Sequence, residues 1–247
     1  MNNSSQKMFF FIADISGYTD YMLKNQMDYT HGTLIVIKLL NSIIKEVQLP
    51  FEIAKIEGDA IFFYLLKDNM PEKYKNDRFS LGKTLLYLFD IFKKELKTMT
   101  ASTDCQCGGC LNIEYLNLKI IAHYGKATID KIGNFQELSG VDVILIHRLL
   151  KNKIPGHSYL LLTKPAYQII TFPLEQKLEP REEQDKDLGT IPVYVHYPTP
   201  SAEIKATAKA SSWTLTKSHI ALFIGALLLK WHFIKKPNFH NFPSQKN

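Results

Sequence analysis

Two carboxylates stand out by their surroundings. Asp14 ends the apolar run of "FFFIADISGYTDYM" (9–22), and Asp59 lies in "FEIAKIEGDAIFFYLL" (51–66), where Glu57-Gly58-Asp59 parts two strand-like runs. An acid placed directly after a buried strand is costly unless it meets water or a positive partner. Two such acids a few ångströms apart repel and need a divalent cation between them, and Mg²⁺ carrying a triphosphate suits hard oxygen ligands. The alternative is that each Asp serves singly, as a helix N-cap or a turn residue. A second grouping is "CQCGGC", in which Cys105, Cys107 and Cys110 offer three soft ligands and Gly108-Gly109 the backbone freedom to wrap a metal.

Zn²⁺ takes four ligands, or three and a water. His123 is the candidate fourth by proximity in sequence. Free thiols in a loop, or an intersubunit metal or redox contact, are the competing readings. Three crowded cysteines do not make a disulfide framework. His31, at the start of a helix, and His147, within one, read as structural.

The elements that position these residues follow from periodicity. Met8 to Ala13 reads as a buried strand, with Ser16 to Thr19 supplying a turn and a helix start. Residues 30–47 place apolar side chains at helical spacing, and Pro50 closes the run. Residues 51–66 form a hairpin with Asp59 at its tip. Helical spacing returns over 79–96, and 98–115 is a polar insertion holding the cysteines. A second pair of strands is expected at 116–124 and 127–132, a short helix at 140–152, strands at 159–162 and 191–197, and a helix at 163–170. "KLEPREEQDKD" reads as a solvated loop or strand connection. Strands that alternate with helices but join partly by hairpins predict an α+β fold with a mixed or antiparallel, ferredoxin-like sheet. In such a sheet Asp14 and Asp59 point over one edge.

These segments resemble a known family. "FIADISGYT" and "KIEGDAIFF" are similar to the two metal-binding segments of class III adenylyl/guanylyl cyclase catalytic domains, F-x-D-I-x-G-F-T and K-x-x-G-D. "IAHYG" and "ELSGVDVILIHRLL" resemble that family's I-H-T-G strand end and G-x-x-V-N-x-A-x-R helix. The likeness spans residues 8–197 and keeps the family's order. More narrowly, the chain looks like a cyclase-like branch with a C-x-C-x-x-C insertion.

The resemblance implies Mg²⁺ or Mn²⁺ held by Asp14, Asp59 and the carbonyl of Ile15, with Arg148 stabilising charge at the α-phosphate. It implies Lys55 and Glu137 at the base, Glu137 standing where the family has Asp. It puts Ile144 where an Asn orients the ribose, and Lys186 nearest the place of a terminal-phosphate lysine. The implied reaction converts ATP into cyclic AMP and pyrophosphate at a head-to-tail homodimer interface. The alternative is a catalytically degenerate signalling module that holds a nucleotide or metal, for which Ile144 speaks because it cannot hydrogen-bond.

The 247 residues allow one large domain, or a domain of about 150–200 residues with an appendage. The net charge of +6 belongs to residues 201–247, which carry seven lysines and one glutamate, while residues 1–200 balance 23 basic against 23 acidic side chains. The body is therefore no nucleic-acid binder by charge. Residues 1–200 are expected to form the cyclase-like domain and 201–247 a basic extension. Its ten-residue apolar run "IALFIGALLL" is short for a bilayer crossing. That run suits a helix on the membrane surface, one packed on the body or a partner, or a true anchor. The run before Asp14 is too short for a signal peptide, so residence in the cytoplasm is expected, with a contact of the tail at the inner face of the membrane as one option.

Overall fold

A computed structural model describes residues 4–198, apart from 26–28, 48–50, 73, 75–79, 103–104 and 174–176. The basic extension and its membrane or packing alternatives lie outside the described residues. Among the described residues no helix is long and apolar enough to cross a membrane.

The fold is the expected α+β arrangement around a mixed sheet. Strands β1 (Gln6–Ser16), β2 (Glu52–Glu57), β3 (Ala60–Leu66), β4 (Asn117–Ile132), β6 (Tyr159–Thr163), β7 (Glu179–Asp185) and β8 (Gly189–His196) lie in the order β2-β3-β1-β4-β6-β8-β7, and β5 (Phe135–Ser139) pairs with the far end of β4. The β4–β6 pairing is parallel; the others are antiparallel. Period-two alternation along β1 sends Phe9, Phe11, Ala13 and Ile15 into one apolar layer and Met8, Phe10 and Ile12 into the other. Each buried Phe contributes about 1.5–3 kcal/mol on transfer from water.

The first layer is covered by α2 (Tyr29–Val47) and α3 (Ser80–Ser102). In α2, Ile35, Val36, Leu39, Leu40, Ile43 and Val47 are buried at helical spacing, and α3 does the same with Leu81, Leu85, Leu88, Phe89, Phe92 and Met99. The short α1 (Tyr18–Lys24) follows β1 directly, and its backbone enters through Gly17 at φ 88°. Alanine at Gly17 would be strained there and would bring a Cβ to 2.9 Å from the Tyr115 carbonyl oxygen. The other layer is covered by α5 (Val141–Arg148) and the 3-10 turn Leu149–Lys151.

Several expectations change. The two strands expected around Tyr124-Gly125 are one strand, because β1 pairs with β4 without interruption from Ser16↔Asn117 to Gln6↔Ala127. Gly125 marks close approach instead of a break: a Cβ there would overlap the Asp142 carboxylate. The hairpin partner of the far end of β4 is β5, for which no strand was expected. "EPREEQD" is the edge strand β7, mostly exposed, which is why its composition resembles a loop. Helix α3 runs to Ser102, into the expected insertion, with the Thr98 and Thr100 hydroxyls donating to the carbonyls of Lys94 and Leu96. The rest of that insertion contains the short helix α4 (Gly108–Leu111) and a 3-10 turn, Ile113–Tyr115. The helix expected at 163–170 is limited to α6 (Lys164–Tyr167).

Candidate active site and metal centre

Asp14, near the C-terminal end of β1, is the last residue of the β1–β3 pairing, opposite Ala60, and faces Lys119 on β4 on the other side. The N–H of Ile15 donates to the Asp59 carbonyl at 3.1 Å, drawing the β2–β3 tip against the end of β1. The two acids therefore share one end of the sheet and interact electrostatically. Burial in the first place, and the charge of Asp14 in the second, push the Asp59 carboxyl up to about 6, against a backbone hydrogen bond and Lys119, which both lower it. A carboxyl held in this way is one that a divalent cation would ionise. Two carboxylates at one end of the sheet are hard oxygen donors of the kind that Mg²⁺ or Mn²⁺ takes.

Sequence reasoning missed Lys119. Its Nζ lies 2.9 Å from Asp14 Oδ2, with the side chains only 19% and 15% exposed. The same ammonium donates to the Leu150 carbonyl at 3.4 Å. Asp14 thus has the positive partner that its apolar context demands. The available signal was a lysine inside the apolar strand "LNLKIIA".

The remaining candidates fall into two groups. Lys55 on β2 pairs with Glu57 at 2.7 Å, and that contact raises its pKa, with Glu137 on β5 adding to the effect. Lys55 and Glu137 are thus near one another, and Lys55 is engaged by its own strand. Ile144 is 53% exposed on α5. His147 meets Phe62 edge-on at a centroid distance of 4.9 Å, as a packing residue does, and burial lowers its pKa. Arg148 turns to the β7–β8 connection, where Nη2 lies 3.0 Å from Asp187 and Nη1 3.8 Å from Asp185. Lys186 sits exposed in that connection, between Arg148's two partners. A cleft beside Arg148 is lined by Lys151, Asn152, Glu183 and Asp185.

His123 is not a cysteine partner. It is buried between Thr163 Oγ1 at 2.7 Å and Asp142 Oδ1 at 3.1 Å, and its pKa is lowered by burial against the opposing pull of Asp142. Asp142 also accepts the Lys126 N–H at 2.6 Å, so it fastens α5 to β4.

The residue that joins the cysteines is His31, in the first turn of α2. Its Nδ1 lies 3.4 Å from Cys107 Sγ, 3.5 Å from Cys105 Sγ and 3.8 Å from Cys110 Sγ. All four ligand atoms fall within 4.8 Å of one another, so a His/Cys cluster able to coordinate a metal ion is present. None of the three cysteines is in a disulfide.

Residues 36–159 match the family described as "Protein of unknown function (DUF2652)". The chain belongs to this family. The chain is similar to the "Uncharacterized protein Rv2561/Rv2562" of Mycobacterium tuberculosis, 28% identical over 160 residues, covering 62% of this chain and 68% of the relative. Among solved structures, the adenylyl cyclase CyaB from P. aeruginosa aligns at a TM-score of 0.60 and 16% identity, over 83% of this chain and all of its own. The guanylyl cyclase Cya2 gives 0.60 and 12% over 84% of this chain and all of its own. The guanylate cyclase domain of RhGC from Catenaria anguillulae, solved with GTP, gives 0.55 and 17% over 79% of this chain and 98% of its own. At these identities the likeness establishes the fold: this DUF2652 chain has a class III nucleotidyl cyclase-like fold.

Proposed function

We propose that this protein converts ATP into cyclic AMP and pyrophosphate as a homodimer. The observation that carries the reading is the meeting of Asp14 and Asp59 at one end of the sheet, where burial and then the charge of Asp14 raise the Asp59 carboxyl. Held by Asp14, Asp59 and the Ile15 carbonyl, Mg²⁺ or Mn²⁺ would neutralise the triphosphate and acidify the ribose 3′-hydroxyl. Lys119, already at Asp14, is placed to exchange that carboxylate for a phosphate oxygen once a cation takes its place. Arg148 brings a planar, permanently charged donor set suited to the α-phosphate. Its half-exposed pairs with Asp185 and Asp187 are exchangeable for a stronger anion.

A homodimer is supported by apolar side chains left open on the layer that α5 covers. Ile132 and Phe135 on the β4–β5 arm and Val141 and Ile144 on α5 are each more than half exposed. In a head-to-tail pair the metal-holding acids of one protomer would meet Lys55, Glu137, Ile144 and Arg148 of the other.

Purified protein incubated with ATP or GTP and Mn²⁺ or Mg²⁺ tests the proposal. Cyclic AMP from ATP, absent with Asp59→Asn, is the expected result. A second reading, a module that binds nucleotide without turning it over, is favoured by Ile144, whose side chain has no hydrogen-bonding group. ATP binding with no cyclic product would establish it.

A further inference from the structure

We propose that His31, Cys105, Cys107 and Cys110 bind one Zn²⁺ in a closed tetrahedral site that fastens the 105–115 segment across α1 and the start of α2. The geometry identifies the ion. With Zn–S near 2.3 Å and Zn–N near 2.0 Å, a tetrahedron has S–N edges of about 3.5 Å. The three separations from His31 Nδ1, 3.4, 3.5 and 3.8 Å, bracket that edge.

Hydrogen bonding alone does not explain the cluster. A single ring nitrogen has one proton or one lone pair and so serves one sulfur at a time. Three sulfurs converging on the same Nδ1 are what a shared central ion produces. Soft thiolates with one imidazole select Zn²⁺ over Mg²⁺ or Mn²⁺. Four protein ligands leave no open position, which makes the site structural and separates it from the carboxylate pair.

Local structure prepares the ligands. Cys107 is the N-cap of α4, and its sulfur accepts the Cys110 N–H at 3.4 Å, which fixes the sulfur's position. Gly109 is buried, and its carbonyl accepts the Tyr21 hydroxyl at 2.8 Å. The Asn112 amide donates to Asn25 Oδ1 at 3.2 Å. Tyr21 belongs to α1 and Asn25 caps it, so the ion secures the helix that leaves the Asp14 strand end. The zinc assignment stands independently of the proposed activity; only its benefit to the carboxylate site rests on that reading.

The test is elemental analysis of the full chain after gel filtration, with zinc expected at one ion per chain. The double variant Cys105→Ser/Cys107→Ser should carry none. His31→Ala, which alters a half-buried side chain and leaves the cysteines in place, should lose zinc during the same column step. Cobalt offered to the chelator-stripped wild type should give thiolate-to-cobalt charge-transfer absorption and tetrahedral d–d bands. Zinc removal should speed amide exchange at 105–115 and α1 while β1, β3 and β4 keep their protection. A folded wild type that takes up neither Zn²⁺ nor Co²⁺ would overturn the proposal, as would zinc loading untouched by both variants. Cyclic-product assays read the carboxylate site separately, so failure of one proposal leaves the other measurable.

Discussion

Replacing Asp59 by Asn probes the carboxylate pair through stability, without requiring turnover. In the folded chain burial and Asp14 move the Asp59 carboxyl from 3.8 to about 6. A displacement of that size sets an upper limit of about 3 kcal/mol on the cost of ionising it. Asp59 is only partly buried, and solvent screening reduces this to about 1–2 kcal/mol. The direction follows from linkage. Between the unfolded value of 3.8 and the folded value of about 6 the native state binds more protons than the unfolded one, so stability falls as pH rises through that window. Below it both states are protonated and no penalty exists. Without added divalent cation, Asp59→Asn should therefore melt about 2–8 °C above wild type well above about pH 6, and match it near about pH 3. Mn²⁺ should raise the wild-type midpoint at the higher pH and leave the variant unmoved. Thermal scans at both pH values, with and without Mn²⁺, supply the data. A variant that melts at or below wild type at high pH, or a Mn²⁺ response equal in both proteins, would refute the reasoning.

Three further outcomes are expected. Arg148→Ala removes half-exposed ion pairs and should change unfolding free energy by about 0–1 kcal/mol in urea titration, while cyclic-product formation falls about 10²–10³-fold. Ile144→Asn alters an exposed helical side chain, should shift stability within about 0.5 kcal/mol, and should raise product formation about 10–10²-fold by restoring a positioning hydrogen bond. Asp142→Ala deprives buried His123 and the Lys126 N–H of their acceptor and should cost about 2–3 kcal/mol by denaturant unfolding, with Asp142→Asn costing less.

The local features of this protein were legible because their signals are local. The apolar run before Asp14 and the Gly-Asp tip before β3 announce a strand and a hairpin, and both form, although β1 runs past Asp14 to Ser16. The helices α2 and α3 are read from their buried faces, which repeat at helical spacing. The edge strand β7 and the β5 arm escaped because exposed strands do not need an alternating pattern. For them pairing to a neighbour, not burial, decides the conformation.

By itself the sequence determined that one acid follows a buried apolar run, that a second sits at a hairpin tip, and that three thiols cluster within one short segment. Tertiary structure alone decided what faces them. His31 reaches the cysteines across 74 to 79 residues of chain, Lys119 reaches Asp14 across a strand pairing, and His123 turns to Thr163 and Asp142. Hydrophobic periodicity specifies which face of an element is buried. The partner of a polar group across the fold depends on how sheets and helices close on each other, and no spacing along the chain records that closure.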